Sequence, residues 1–169
     1  MCANPNTLPA FIDYFRRLAA EHVELQSFVH GAAGRIISGS RSGITYPCLW
    51  LETPTLALSE KDGTAPLGRR HCAFVVLLGV PTDDYEAQDA GWALTEGLAL
   101  DVLSRMVRDR KARQFSFSLN EHPLEPVATL TVDNEIGWRL EFTLEQYVPL
   151  PYQESRWQAQ PAQEGVVAP

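Results

Sequence analysis

The stretch Trp138-Arg139-Leu140-Glu141-Phe142-Thr143-Leu144-Glu145 alternates apolar and polar side chains without a break. Side chains along a β-strand point to opposite faces in turn, so this pattern predicts a strand with one face on the core. The other face is expected to meet water or a partner. We interpret the strand as the second arm of a β-hairpin that runs from Trp138 to Val148. The first arm is predicted over Val127–Asp133, with the turn at Asn134–Gly137.

Two amphipathic helices are predicted earlier in the chain. The first begins at the N-cap Thr7 and runs to about Gln26, with apolar residues at helical spacing. The second is capped at position 82, 83 or 84 and ends near Arg113. Acidic residues at its start and basic residues at its end complement the helix dipole. Its predicted apolar stripe is Ala87, Ala90, Gly91, Leu94, Leu98, Val102, Met106 and Val107.

Two strands are predicted between the helices. Ile44–Ser59 has apolar residues on both faces, and Pro47 and Pro54, which cannot donate to a ladder, favour an edge, a bulge or a bend there. His71–Val80 is almost entirely apolar, as is typical of a central strand covered on both faces. Ser27–His30 fits either a short strand or the end of the first helix, and Glu60–Gly68 has the composition of a turn.

This order of helix, strand, strand, helix and hairpin predicts an α+β fold, with a mostly antiparallel sheet and two helices packed on one face. We expect one domain over residues 1–148, because 169 residues suit a single core. Prolines and glutamines accumulate from Pro149 onward, which predicts an extended or flexible C-terminal tail over residues 149–169. Trp157 is unusual in such a tail, because a lone tryptophan exposes a large apolar surface there.

Charge and cysteine content narrow the class of protein. The net charge of −7 argues against a dedicated nucleic-acid binder and against docking on an anionic membrane by charge. Three cysteines without a C-x-x-C motif favour reduced thiols and a reducing compartment. The longest apolar run, Cys72–Val80, is far shorter than the roughly 20 residues of a membrane helix. The N-terminal residues carry no recognisable secretion signal.

The sequence predicts no catalytic, cofactor-binding or metal-binding constellation. Its four histidines fall at no metal-ligand spacing, and Gly31-Ala32-Ala33-Gly34 lacks the lysine and the capped helix of a phosphate-binding loop. His71 and Cys72 are neighbours on a predicted strand, so they point to opposite faces and cannot act together. An enzyme would need a pocket where His71, Glu52 or Cys48 converge. We therefore expect a protein that is not an enzyme and that uses no cofactor.

A basic cluster lies at the end of the second helix, where five of the 14 basic residues occupy nine positions. Compensation of the helix dipole needs only two or three charges in the last turn. The surplus favours a patch that faces an acidic partner, such as the acidic face of a neighbouring copy, although plain solvation is the alternative. The five residues are Arg105, Arg108, Arg110, Lys111 and Arg113.

In combination, these segments resemble phage tail-terminator and minor tail proteins, including their relatives in prophages and contractile injection systems. The likeness spans about residues 7–148 and concerns the order of the elements and the residue pattern of the hairpin. It is carried by Leu8-Pro9-Ala10-Phe11-Ile12, Tyr46-Pro47-Cys48-Leu49-Trp50-Leu51-Glu52, the helix Asp84–Arg113 and Ile136-Gly137-Trp138-Arg139-Leu140-Glu141-Phe142. The stretch Ser27–Gly43 departs from the pattern, because no strand is assigned to it.

The resemblance implies a structural subunit of a phage-like tail or head–tail connector. Such subunits form a ring, usually sixfold, at the end of the tail tube, with other tail or connector proteins as partners and DNA only as passing cargo. The implied location is the cytoplasm during assembly and then the virion or phage-like particle. The alternative is a small non-enzymatic protein-binding adaptor. The residues expected at contacts between copies are Arg105, Arg108, Arg110, Lys111, Arg113, Arg139, Glu141 and Trp157.

Overall fold

A computed structural model describes residues 7–32, 44–60, 66–114, 116–119, 123–128, 134–148, 150 and 152–157. Within these ranges the chain forms two α-helices and a seven-stranded, mostly antiparallel mixed sheet, so the predicted α+β class is confirmed. The elements in chain order are α1 Leu8–Glu21, β1 Ser27–His30, β2 Cys48–Leu51, β3 Thr55–Ser59, β4 Leu67–Gly79, α2 Tyr85–Lys111, β5 Phe117–Ser118, β6 Glu125–Ala128 and β7 Glu135–Tyr147, followed by a short 3-10 helix at Glu154–Arg156.

Two long central strands, β4 and β7, organise the sheet. They pair antiparallel along their whole length, from Leu67 opposite Tyr147 to Gly79 opposite Glu135. Beyond β4, the strands β2 and β3 pair with it in succession, and β1 lies parallel to β2. Beyond β7 lie β6 and β5, both antiparallel to it. Of the two alternatives for Ser27–His30, the strand is the one observed, as β1. The predicted order omitted β5 and treated β2 and β3 as one strand.

The predicted hairpin exists as the β6–β7 pair, but its boundaries were wrong. The first strand begins at Glu125, and the second begins at Glu135, so residues 135–137 belong to the strand and not to the turn. Asn134 precedes β7 with a φ of 51°, a left-handed conformation that asparagine tolerates, and its side-chain amide donates to the Val80 carbonyl at 3.2 Å. Residues 129–133 of the predicted first arm lie outside the described ranges.

One face of the sheet packs against both helices and forms the main core. Four phenylalanine rings meet at its centre, with centroids 5.3 to 6.3 Å apart. They belong to α1, β4 and β7, and α2 closes the core with further apolar residues. These core residues are Phe11, Phe15, Phe74, Phe142, Leu98, Val102 and Met106.

The opposite face of the sheet is covered in part, so the face of β7 that was predicted to meet water or a partner is less exposed than expected. Trp50, Val75 and Leu77 form a second buried apolar cluster there. Thr143, expected in water, is only 4% exposed, and the other polar side chains of this face of β7 are half-buried. The expectation that β4 is a central strand covered on both faces is confirmed for Cys72–Leu77, where every residue is buried, whereas Arg69 and His71 are exposed. This strand begins at Leu67, so the predicted turn ends earlier, and residues 61–65 lie outside the described ranges.

The helices follow the predicted caps but not all predicted limits. The Thr7 hydroxyl caps α1 by accepting from the amide of Ala10 at 3.4 Å, and Asp84 caps α2 by accepting from the amide of Ala87 at 2.9 Å. Helix α1 ends at Glu21 instead of about Gln26, because the chain becomes extended at the next residue to enter β1.

The buried side of α2 differs from the predicted apolar stripe. Ala90 and Leu94 are exposed, whereas Thr95 and Asp109 are buried. The Thr95 hydroxyl donates to the carbonyl of Gly91 at 2.8 Å, and Asp109 accepts hydrogen bonds from other side chains. Because hydrogen bonds satisfy both polar groups, the helix can bury them at little cost.

Candidate functional site

A polar cleft lies where the edge of the sheet is interrupted between β2 and β3. The chain leaves β4 after Leu51, which pairs with Phe74, and rejoins it at Thr55, opposite His71. Pro54 lies in the gap and cannot donate to the ladder, so the irregularity expected at this proline takes the form of a break between two strands. The cleft measures about 210 Å³ and is lined by Glu52, Thr53, Thr55, His71, Cys72, Arg139, Glu141 and Phe142.

Arg139 is the centre of the charge network in this cleft. Its Nε and Nη2 donate to both carboxylate oxygens of Glu52, at 2.7 and 3.0 Å, and its Nη1 donates to Glu141 at 2.6 Å. The hydrogen bonds to Glu52 and Glu141 raise the pKa of the Arg139 guanidinium above its ordinary value. Two carboxylates against one guanidinium leave a net negative charge. The predicted interface residues Arg139 and Glu141 are therefore paired within the chain.

His71 is a further titratable group that lines the cleft. Its Nδ1 lies 3.0 Å from the Thr143 hydroxyl, on the neighbouring strand β7. The Thr143 side chain is buried, so this hydroxyl positions the imidazole ring and does not face the cleft as an accessible nucleophile. His71 is exposed while Cys72 is buried, as the alternation along a strand predicted.

Both described cysteines are buried thiols with a low tendency to ionise. Burial raises the pKa of Cys48 to about 11 and that of Cys72 to about 12. A thiolate, not a thiol, is the nucleophile, so neither group is activated at neutral pH. Glu52 and His71 do line one cleft, but Cys48 is not part of it. Among the described residues, no three His, Cys, Asp or Glu side chains are placed to hold a metal ion.

The basic end of α2 divides into paired and exposed cations. Arg105 joins the two helices, because it contacts Asp109 at 3.1 Å and Glu21 of α1 at 2.9 Å. Arg110 donates to the carbonyl of Phe117 at 3.2 Å and lies 4.7 Å from the centroid of its ring. The remaining three are exposed and form no ion pair with any described residue; they are Arg108, Lys111 and Arg113.

The edge strand β3 is a candidate contact surface that the sequence did not predict. It pairs with β4 on one side, and no described residue pairs with its other side. All five of its residues are exposed, including Leu56 at 41% and Leu58 at 52%. A usable signal was present, because Thr-Leu-Ala-Leu-Ser alternates directly after Pro54, which favours an edge strand.

The C-terminal segment presents an exposed aromatic pair. Tyr152 and Trp157 stack with centroids 6.0 Å apart and an angle of 18° between the rings, on either side of the 3-10 helix. They are 73% and 67% exposed, so the apolar surface expected at Trp157 is present. Residues 149, 151 and 158–169 of the predicted tail lie outside the described ranges.

The chain was compared with models of known families and with curated proteins. No family model and no curated protein matches it. Within the described residues, no helix combines the length and the apolar character that crossing a membrane requires. A function is therefore proposed from the surfaces of the chain itself.

Proposed function

We propose that this chain is a structural subunit that forms a ring, hexameric in the favoured case, at the end of a phage-like tail or in a head–tail connector. Other tail or connector proteins are its partners, and DNA passes through the ring without specific binding. The subunit assembles in the cytoplasm and then becomes part of the virion or phage-like particle. The observation that carries the proposal is the outer edge of β3, which pairs with no strand in the part of the chain that the structure describes.

An open edge strand exposes a row of unpaired backbone groups that another chain can pair with. Soluble proteins commonly block such edges with lysine, proline or inward-pointing charges. Strand β3 has none of these between Thr55 and Ser59, and it exposes two leucines instead. Pairing with a neighbouring strand would satisfy the backbone groups and bury both leucines.

The opposite margin of the sheet, formed by β5 and β6, offers the complementary surface. Contact between β3 of one copy and this margin of the next copy joins two different surfaces. Such a heterologous contact generates a ring when the rotation between copies closes. The exposed cations Arg108, Lys111 and Arg113 and the aromatic pair Tyr152–Trp157 supply further polar and apolar surface for neighbouring copies or partner proteins.

Light scattering coupled to size exclusion tests this proposal, with the double variant Leu56→Lys/Leu58→Lys beside the wild type. We expect about six copies for the wild type and a smaller species for the variant, because two lysines on the edge oppose strand pairing. Leu94→Lys is the matched control, since Leu94 is 40% exposed on α2, and we expect it to leave the size unchanged.

A non-enzymatic protein-binding adaptor is the second candidate, and the stacked pair Tyr152–Trp157 favours it. Exposed tryptophan and tyrosine side chains are typical anchors of protein interfaces. An adaptor would bind its partner through this pair as a monomer or a dimer. One or two copies in the wild-type measurement would therefore contradict the ring and favour the adaptor.

A further inference from the structure

The margin of the sheet that carries β1 and β3 is stepped. Opposite residues 74–77 of β4, two strands lie beyond it, first β2 and then β1. Opposite residues 67–71 of β4, only β3 lies beyond it. No strand pairs with the outer edge of β1 or of β3 in the part of the chain that the structure describes. The two open edges therefore lie over different parts of β4 and are offset by one strand.

This stepped margin is complementary to itself. A twofold rotation about an axis perpendicular to the sheet brings β1 of one copy beside β3 of the other, and β3 of the first beside β1 of the second. Strands β1 and β3 both run opposite to β4, and the rotation reverses their direction in the second copy. Both new pairs are therefore antiparallel, which is the more stable arrangement. The two sheets become one, with the helices of both copies on the same face.

A groove beside β1 can receive the side chains of an added strand. It measures about 330 Å³ and lies between α1 and β1, on the helix side of the sheet. Its lining includes Ala19 and Ala20 of α1 together with Leu25 and Phe28. A cavity of about 150 Å³ is enough to hold benzene, so this groove has room for more than one leucine side chain.

The two exposed leucines of β3 face this side of the sheet. Leu58 lies opposite Gly68, six residues before the core residue Phe74 on β4. An even spacing along a strand keeps side chains on one face, so Leu58 and Leu56 point to the same side as Phe74. Phe28 packs against the main core and also points to that side. In a joined sheet, the leucines of one copy thus lie on the same face as Phe28 of the other.

We propose that two copies of this chain pair through this margin as a twofold dimer, with β1 of each copy joined to β3 of the other. Phe28 lies opposite Leu58, so Val29 lies opposite Ala57, and the four residues of β1 pair with residues 56–59. Both exposed leucines then enter the groove of the other copy. A second copy is the occupant because the twofold partner fills both open edges at once, which a single added strand cannot do.

The charges around this contact are compatible with the register. Strands β1 and β3 contain no aspartate, glutamate, lysine or arginine, so no like charges meet between the paired strands. Among the described residues, Arg16 is the one charged side chain that lines the groove; Asp13, which contacts it, and Glu24 lie outside the lining. Glu60 follows β3 directly and in this register lies beside Gln26, which lines the same groove. The contact therefore brings opposite charges together at each groove.

The dimer and the proposed ring use the same edge of β3, so a copy cannot form both contacts through that edge at once. The dimer protects the edge in free copies, since an unpaired edge strand invites aggregation. A rise in protein concentration favours the larger assembly, so dimers give way to rings. As a control of ring assembly, the dimer rests on the proposed function; as a contact between two copies, it stands without it.

A disulfide across the joint tests the pairing in the double variant Val29→Cys/Ala57→Cys. Residues directly opposite each other in an antiparallel pair have Cα atoms about 4.5–5.5 Å apart, which a disulfide spans. Within one chain, Val29 lies level with Val75 of β4, through β2. Ala57 lies opposite Arg69, six residues and about 20 Å away along β4. A disulfide between positions 29 and 57 therefore joins two copies.

We expect mild oxidation of the double variant to give a covalent dimer with two disulfides and no larger species on a non-reducing gel. The wild type and each single variant, oxidised in parallel, should stay monomeric on the gel. A ladder of larger species would show that the contact does not close as a twofold pair and would overturn the proposal. Failure of the double variant to form the covalent dimer would overturn it as well.

Ala20→Tyr supplies a test without cysteine. Ala20 is exposed and lines the groove, so the new ring fills the space that the leucines would enter. We expect light scattering at low protein concentration to show dimers for the wild type and monomers for Ala20→Tyr, with at least about a tenfold rise in the dissociation constant. Ala93→Tyr, on the exposed side of α2, is the matched control and should stay dimeric. An unchanged dissociation constant for Ala20→Tyr would contradict the pairing.

These measurements separate the dimer from the ring. Ala20 lies beside β1, whereas the ring uses β3 and the margin of β5 and β6, so Ala20→Tyr should still form rings at high protein concentration. Wild-type rings, combined with a double variant that gives no covalent dimer, would leave the ring and overturn the dimer. A covalent dimer in a protein that never forms rings would support the dimer and contradict only the ring.

Discussion

Tyr14 of α1 donates a buried hydrogen bond of 3.1 Å to the carboxylate of Asp109 near the end of α2. Asp109 also accepts from Arg105, which in turn contacts Glu21 of α1 at 2.9 Å. Burial, together with the negative charge of Asp109, raises the pKa of Tyr14 well above its ordinary value, so the phenol remains a donor. These contacts fix α1 against α2 just where the exposed cations of α2 begin.

Replacement of Tyr14 by phenylalanine tests this clamp. The change leaves the buried Asp109 carboxylate without one of its donors, so we expect the free energy of unfolding to fall by about 1–3 kcal/mol. Urea unfolding measures the loss. Tyr85→Phe is the control, because Tyr85 is exposed, so the loss of its hydroxyl should change the free energy of unfolding little. Equal stability of the two variants would show that the Tyr14–Asp109 bond does not stabilise the fold.

The main core is tested by Leu98→Ala and Phe142→Ala. Both side chains are fully buried between the helices and the sheet, so each substitution creates a cavity. We expect a loss of about 2–5 kcal/mol in the free energy of unfolding for each. Leu94→Ala on the exposed side of α2 should cost less than about 0.5 kcal/mol. A loss that small for either core variant would contradict the core assignment.

Substitution by alanine should have opposite effects on stability at two glycines. A Cβ atom on Gly137 would lie 1.8 Å from the backbone oxygen of Val76, so β4 and β7 could not keep their pairing. We expect Gly137→Ala to lower the thermal midpoint sharply or to prevent folding. Gly97 lies in open space within α2, so Gly97→Ala should stabilise the helix by up to about 1 kcal/mol. Thermal unfolding followed by circular dichroism measures both, and a tolerated Gly137→Ala would contradict the close approach of the strands.

The buried thiols predict a loss of stability in alkali. Their ordinary pKa is 9.0, and burial raises it to about 11 in Cys48 and about 12 in Cys72. Above pH 9 the unfolded chain releases these protons while the folded chain keeps them, so stability falls as pH rises. Each cysteine should contribute a loss of about 1 kcal/mol between pH 9 and pH 10.

Urea unfolding at pH 8, 9 and 10 measures this loss for the wild type, Cys48→Ala and Cys72→Ala. Each alanine variant should show a shallower fall between pH 9 and 10 than the wild type, whatever its stability at pH 8. Equal falls in all three proteins would mean that the thiols titrate alike in the folded and unfolded chains.

The sequence predicted those parts of the fold that depend on local patterns and on residues that begin or interrupt an element. Thr7 and Asp84 cap the helices as expected, and Pro54 interrupts the edge strand. Strand limits were less accurate, because they depend on pairing partners far along the chain. The composition of the segment that contains Leu67 and Gly68 predicted a turn. Both residues belong to β4, because they pair with Tyr147 and Gln146 of β7.

The sequence did not predict correctly which polar side chains are exposed. Arg139 alternates with apolar residues and was expected to face a partner, but Glu52, 87 positions earlier, reaches it across the sheet. Thr95 and Asp109 are buried in α2 because their hydrogen-bond partners lie on the same helix or on α1. The pairs Arg139–Glu52 and Tyr14–Asp109 span 87 and 95 positions, so they follow from the fold and have no local signal. Arg108 and Lys111 carried a local signal, since the five basic residues of Arg105–Arg113 exceed the two or three that the dipole needs, and both are exposed.

The number of copies in the intact assembly is the most direct measure of the ring. Native mass spectrometry of the 18.8 kDa chain should give six copies, about 113 kDa. The variant Leu56→Lys/Leu58→Lys should give a smaller mass, because two lysines on the edge of β3 oppose strand pairing. A mass of one or two copies for the wild type, unchanged when the protein concentration is raised, would contradict the ring.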